Sequence, residues 1–299
     1  MNELLHSLDW VLPLRSEGLT PLMRFFTLLG YEKFILFFLP LGYWAWNRSV
    51  FLRLLVLVAV TALLNAWLKD YWQDPRPDIA LRMDHEVGDS FGLPSGHAQI
   101  AVVIWFWLAF ELRRAWAWAV SGVVVAGIIF SRLYLGAHDV EDVLGGSLLG
   151  IATLLAFSQV RHWRWWAGAH GAWHQGLLLL VFLLAWLTWP GTAPSYVPLL
   201  AGLMAGVLFG FRQLPFSAEV ATWRRLLAAA IGAVAFILLQ KSLKLAGAAW
   251  PLDPQLWQGL RGLVMGLFVA LAMPWLLVRL GLLAMARKAE PEALAGTAA

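Results

Sequence analysis

Apolar residues run along this chain in long continuous stretches, such as "FLRLLVLVAVTALLNAWL", "IAVVIWFWLAF" and "LLLLVFLLAWL", broken by short polar turns. A helix needs about 20 mostly apolar residues to cross roughly 30 Å of hydrocarbon, whereas strands of a membrane barrel alternate over about ten residues. The pattern therefore predicts an all-α fold, a polytopic transmembrane helical bundle. It places about nine spans near 31–47, 51–71, 95–112, 116–134, 141–160, 174–190, 195–211, 223–245 and 258–282. Residues 1–30 differ from these. "LLHSLDWVLPL" and "LTPLMRFFTLLG" mix Trp and Phe with charges, which predicts an amphipathic segment on the membrane surface. Glu3, Asp9 and Glu17, with no basic start and no small-residue cleavage site, set this segment apart from a signal peptide.

Composition agrees: 61% of the 299 residues are hydrophobic, 13% are charged and the mean hydropathy is +0.70, which excludes an ordinary soluble domain. The absence of cysteine excludes disulfides, thiolate metal sites and thiol chemistry. A net charge of +4 is here a matter of topology rather than of nucleic-acid binding. Arg48, Arg53, Arg113, Arg114, Arg161, Arg164, Arg212, Arg224, Arg225, Arg279, Arg287 and Lys288 fall on one side of the predicted spans. By the positive-inside rule that side is cytoplasmic, so the N-terminal segment and the loops 72–94 and 135–140 face outward. "RHWRWW" at 161–166 mixes Arg with Trp as a bilayer interface does, and no nucleic-acid partner is expected. The Leu, Ala and Trp richness with compact loops points to a bacterial inner membrane, with the outward face toward the periplasm or exterior.

The outward loops hold the chemistry. "KDYWQDPRPDIALRMDHEVGDSFG", "LPSGHAQ" and "SRLYLGAHDVED" gather acids and bases at span ends, where ionisable groups are expensive and usually functional. Lys69, Arg76 and Arg132 are cations; Ser95 and Gly96 offer a hydroxyl and a bare N–H at a helix start; His97 and His138 titrate near neutrality. That inventory suits a phosphoryl group. His138 and Asp142 lie four apart, on one face of a helix, so the carboxylate can hold one ring nitrogen while the other attacks. His97, without such a partner, is free to donate a proton.

These stretches fit three signatures in order: Lys-x6-Arg-Pro in "KDYWQDPRP", "PSGH" unchanged, and Ser-Arg-x5-His-x3-Asp in "SRLYLGAHDVED". The set resembles the type 2 phosphatidic acid phosphatase family, whose superfamily includes vanadium haloperoxidases, over about residues 51–160. The resemblance implies that Lys69, Arg76 and Arg132 bind phosphate, that Ser95 and Gly96 hold its oxygens, and that His138 forms a phosphohistidine oriented by Asp142 while His97 protonates the leaving group. It also implies that no metal or other cofactor is needed, which the residues alone leave open. The chain then divides into the amphipathic segment 1–30, a phosphatase core bundle at 31–165, a membrane extension at 166–285 and a cytoplasmic tail at 286–299.

The function expected is hydrolysis of a lipid phosphomonoester or diphosphate at the outer face of the membrane, with the bilayer and a lipid phosphate as partners. A lipid phosphotransferase using the same residues and a lipid transporter or flippase are the alternatives. Lys241 and Lys244 either snorkel at the interface or meet a second phosphate or head group. Asp139 and Glu141 are expected as solvated loop charges or as tuning of the local potential, Asp70, Asp74 and Asp78 as local partners of Lys69 and Arg76, and His6, His162, His170 and His174 as packed or interfacial residues. Gly146 and Gly150 are expected to pack helices closely behind the site.

Overall fold

A computed structural model describes residues 5–88, 90–160, 171–189, 193–250 and 252–286. The helices are α1 (Leu19–Leu28), α2 (Glu32–Ala45), α3 (Arg48–Trp72), α4 (Gly96–Leu112), α5 (Ala115–Tyr134) and α6 (Val140–Val160), followed by α7 (Gly171–Leu187), α8 (Tyr196–Gln213), α9 (Thr222–Ala249), α10 (Pro254–Leu267) and α11 (Met273–Arg279). A π-helical turn, Phe268–Ala272, joins α10 to α11. Two-residue strands, β1 (Phe216–Ser217) and β2 (Ala284–Met285), pair antiparallel. The fold is otherwise helical, as the continuous apolar runs predict.

The expected number of nine spans is not confirmed by the described residues. Among the described residues, six helices are long and apolar enough to cross a membrane, counting Pro254–Arg279 as one, and α1 with α2 makes a seventh if that pair, bent by 56°, is a single span. Alone, the 14 residues of α2 reach only about 21 Å. The 17-residue α4 and the apolar stretch Gln175–Leu187 are also short. The chain is nonetheless an integral membrane protein. α9 buries only Ala228, Gly232 and Phe236 and leaves Leu226, Val234, Leu238 and Leu245 exposed, an apolar surface that water does not tolerate but lipid does. Arg161, Arg164 and the "RHWRWW" patch, with His162 and His170, lie outside the described residues, as do Arg287, Lys288 and the tail from residue 287.

α4, α5 and α6 pack together, with α1 laid against α5. Gly146 and Gly150 of α6 do sit at a close approach: a Cβ would lie 2.3 Å from the Ser95 carbonyl oxygen and 2.9 Å from that of Gln99. The predicted surface segment is folded into this bundle. Leu8, Val11 and Met23 are buried with Ala98, Tyr134 and Val143.

α8 and α10 pack through facing small residues. A Cβ on Gly202 or Gly206 would meet the carbonyl oxygens of Gly259 and Leu263 at 1.9 and 2.5 Å, and one on Gly262 or Gly266 those of Leu199 and Leu203 at 2.0 and 2.4 Å. Hydrocarbon gives helices no hydrophobic reason to associate, so van der Waals contact between bare backbones holds the pair. In the wider π turn that follows, Trp44 Nε1 donates to the Val269 carbonyl at 2.8 Å, which ties α2 to the second half of the chain.

A bulky side chain in the α8–α10 seam must part the helices. Gly206→Leu is expected to cost about 1–3 kcal/mol by overpacking and to lower the melting midpoint in detergent by several degrees. Gly176→Leu on α7, where nothing among the described residues lies within 4 Å, is the control and should melt near the wild type.

Candidate active site

The charged span ends meet at one end of the bundle, around a cavity of 540 Å³ lined by Lys69, Arg76, Gly96, His97, Arg132 and His138, with Tyr31, Asn65, Ser90 and Tyr196 beside them. Chain direction makes this possible. α3 and α5 end here while α4 and α6 begin here, so residues distant in sequence share one mouth.

Local geometry sets His138. After α5 the backbone turns at Gly136, whose φ of +67° suits glycine and whose Cβ, if it had one, would lie 2.2 Å from the Leu81 carbonyl oxygen. The N–H groups of Ala137 and His138 then return to the Arg132 carbonyl at 3.0 and 3.3 Å. His138 Nδ1 and Asp142 Oδ2 are 2.7 Å apart, with both side chains buried. Arg76 Nη1 lies 3.0 Å from His138 Nε2. A guanidinium can only donate, so Nε2 is the accepting nitrogen and Nδ1 carries the hydrogen that goes to Asp142. The ring is thus held as the tautomer whose lone pair points at a cation. Burial, then Arg76, Lys69 and Arg132, hold its pKa well below the usual histidine value, so it stays neutral.

The cations are anchored by different partners. Lys69 Nζ donates to the Phe91 carbonyl and, at 2.7 Å, to that of Gly92. Arg76 reaches the Ser90 carbonyl at 2.5 Å, Ser90 Oγ at 2.9 Å and the Ala137 carbonyl at 2.7 Å. Burial and the neighbouring Arg132 lower its pKa to about 10, well above neutrality. Arg132 Nη1 donates to Thr27 Oγ1 and, at 2.7 Å, to Asp84 Oδ2; Tyr31 Oη lies 2.5 Å from both Asp84 oxygens. Burial would raise the Asp84 pKa, but the hydrogen bonds from Tyr31 and Arg132 outweigh it and hold the carboxyl below its usual range.

Several polar atoms here are buried without a partner among the described residues, including Ser95 Oγ, His97 Nε2, Arg132 Nε and Asp142 Oδ1. The first three are a hydroxyl, a ring nitrogen and a guanidinium N–H, a set that matches the oxygens of a tetrahedral oxyanion. The His97 ring meets Tyr31 edge to face at 4.7 Å between centroids. It also abuts Gly30, where a Cβ would lie 2.4 Å from its Cδ2. Asn65 Nδ2 bonds the Pro94 carbonyl at 3.0 Å and Gln99 Oε1 at 2.9 Å, which fixes the start of α4 and with it Ser95 and Gly96.

The structure thus brings Lys69, Arg76, Ser95, Gly96, His97, Arg132, His138 and Asp142 together. It does not bring Lys241 or Lys244, which lie exposed on α9 and do not line the cavity. Asp139 is not a solvated loop charge. It is buried, its Oδ1 accepts from the Asp142 N–H at 3.0 Å, and its Oδ2 lies 2.9 Å from Nδ1 of the half-exposed His6, whose Nε2 is 3.1 Å from Glu141. Nor do the described ion pairs join Asp70, Asp74 or Asp78 to Lys69 or Arg76. Asp70 accepts from Trp189 Nε1 at 2.8 Å and Asp78 from the Ala80 N–H at 2.9 Å. The side chains of His85 and His174 are outside the description. Thr27, Tyr31, Asn65 and Asp84 are the site residues that the sequence reading missed. Asp84 alone had a local signal, an Asx turn to the Glu86 N–H at 3.2 Å, and that announces a turn rather than a partner for Arg132.

Residues 50–166 match the PAP2 superfamily, and residues 195–288 match the PAP2 superfamily phosphatase transmembrane extension. Phosphatidylglycerophosphatase B of Bacillus subtilis is 32% identical over 46% of this chain and 73% of its own length. The chain belongs to the PAP2 superfamily. Sphingosine-1-phosphate phosphatase 2 of Mus musculus is 31% identical over 46% of this chain, which spans only 41% of that relative's length. The solved structure of a transmembrane PAP2 type phosphatidylglycerolphosphate phosphatase from Bacillus subtilis shares 26% identity over 52% of this chain and 85% of its own, with a TM-score of 0.45.

Asp84→Ala leaves the buried Arg132 without its carboxylate and is expected to cost about 3–5 kcal/mol, read as a large fall in melting midpoint with Asp84→Asn between it and the wild type. The pH dependence has a definite sign. A carboxyl held below its unfolded value of 3.8 contributes stability above that pH and loses it as pH falls through the folded value. Melting curves of wild type and Asp84→Asn should therefore converge only in strong acid.

Proposed function

We propose that this protein hydrolyses a phosphomonoester or diphosphate of a membrane lipid, without a metal, through a phosphohistidine at Nε2 of His138. The observation that supports this most is the tautomer of His138: Nδ1–H on Asp142, and the Nε2 lone pair aimed into a cavity lined by three cations. The names of the relatives, a sphingosine-1-phosphate phosphatase and a phosphatidylglycerophosphatase, support a lipid phosphate as the substrate class.

Phosphate oxygens accept from Arg76, Lys69 and Arg132 and from the Ser95 hydroxyl and Gly96 N–H, so Arg76 turns from the ring to the substrate and uncovers Nε2. The lone pair of Nε2 attacks phosphorus as the bond to the lipid oxygen breaks, and the imidazolium that forms is stabilised by Asp142. His97 gives its Nε2 proton to the leaving oxygen. Nε2, buried without a partner among the described residues, is the working nitrogen, and the phosphate's charge helps to protonate it. His97 then takes a proton from water, the hydroxyl oxygen attacks phosphorus, the P–N bond breaks and inorganic phosphate leaves. The cations neutralise the equatorial oxygens at both transition states. The arginines on the opposite ends of the helices support an orientation in which this mouth faces the periplasm or exterior of a bacterial inner membrane.

Phosphate release by purified protein in detergent with excess chelator, over a panel of lipid phosphates, tests the reading. His138→Ala should abolish release and His97→Ala should slow it about 10²–10⁴-fold. Undiminished release by a folded His138→Ala protein sinks the proposal. Because His138 must be neutral to attack and its pKa is lowered, the acid limb of the kcat/KM profile, where protonation of Nε2 stops attack, should lie well below pH 6.5.

A further inference from the structure

The charged cavity is not closed on every side by charge. Glu32, Asn65 and Tyr196, which line it, also line a second hollow of 210 Å³ whose remaining wall is apolar. Ile35 and Leu36 of α2, Ala62 of α3 and Leu199 and Leu200 of α8 form most of that wall. The two compartments therefore share a neck, with cations on one side and hydrocarbon on the other. A third hollow, between Phe106, Trp118 and Leu155, is also apolar but shares no residue with the charged cavity.

A ligand that fills both joined compartments has an anionic head and an apolar tail within one molecule. An inorganic or sugar phosphate would leave the apolar side without a partner, and a plain hydrocarbon would leave the cations without one. We infer that the hollow between α2, α3 and α8 takes the first carbons of the hydrocarbon chain of a lipid phosphate whose head lies in the cation-lined cavity, so that α8 of the transmembrane extension selects substrates by their chain. The inference rests on the proposed phosphatase reading. It gives the extension a part in substrate choice: α8 begins at Tyr196, on the neck itself, and its next turn, Leu199 and Leu200, lies along the tail.

The test uses the full chain in detergent micelles with two monoesters that have the same head, hexadecyl phosphate and butyl phosphate. Wild type should favour the long chain. Leu200→Trp fills the hollow from the extension and Ala62→Phe fills it from the core, and each should lower the ratio of kcat/KM for hexadecyl over butyl phosphate by about tenfold, the loss of a few buried methylenes. Two variants entering from different helices keep the test open if one of them fails to fold. An unchanged ratio in both, or a wild type indifferent to chain length, overturns the inference. A folded wild type that releases phosphate from neither ester nor from any lipid phosphate overturns the phosphatase reading instead.

Discussion

Everything at the mouth of this bundle is arranged around three cations that must share one largely buried cavity. Like charges in a poorly solvated space repel strongly, and the chain offsets this unevenly. Lys69 and Arg76 are held by backbone carbonyls of Ser90, Phe91, Gly92 and Ala137. Arg132, the most deeply buried, has a full carboxylate from Asp84. This division explains the course of the segment between α3 and α4: it folds back across the cavity because its carbonyl oxygens are the solvation that the Lys69 ammonium and the Arg76 guanidinium lose. Carbonyl dipoles solvate a cation without cancelling its charge, so Lys69 and Arg76 stay attractive to an anion. Arg132 has one face on Asp84 and keeps Nε unpartnered.

What could be read from the sequence followed from the range of the interactions. His138 and Asp142 are four residues apart at a helix start, so their contact was visible in "HDVED", and Ser95 and Gly96 announced themselves by opening a helix. Gly146 and Gly150 were legible for the same reason, since a four-residue spacing is one helical face. The partners of Arg132 were not. Asp84 is 48 residues away and Thr27 105, and no spacing rule connects them. Asp139 looked like a solvated acid because nothing local shows that α6 starts on it and that His6 comes from 133 residues away to meet it. The N-terminal segment shows the same limit. Its mixture of Trp, Phe and charge suits a membrane surface, yet Arg15 is spent inside the fold, on the carbonyls of Tyr134 and Leu81 at 2.9 and 2.8 Å, and the half-exposed His6 meets the buried Asp139. The number of spans was least legible of all, because hydropathy alone does not mark where a helix bends or stops short.

The second half of the chain is joined to the first at both ends of α3. At the start of that helix, Arg48 donates to the carbonyls of Phe211 and, at 2.8 Å, Leu214, where α8 ends and its carbonyls lack helical partners, and it stacks over the Phe211 ring at 4.0 Å. At the other end, Asp70 accepts from Trp189, and Tyr196 opens α8 at the cavity. Asp70 is the neighbour of Lys69, so the contact that ties the second half of the chain to α3 falls one residue from a cation of the site. An ion pair to Asp70 would have drawn Lys69 out of the cavity; an indole N–H satisfies the carboxylate without competing for the ammonium. Trp189 thus leaves the lysine to the loop carbonyls. A membrane helix pair with no hydrophobic drive to associate needs such polar ties at its ends, and here the ties also keep one wall of the cavity in place.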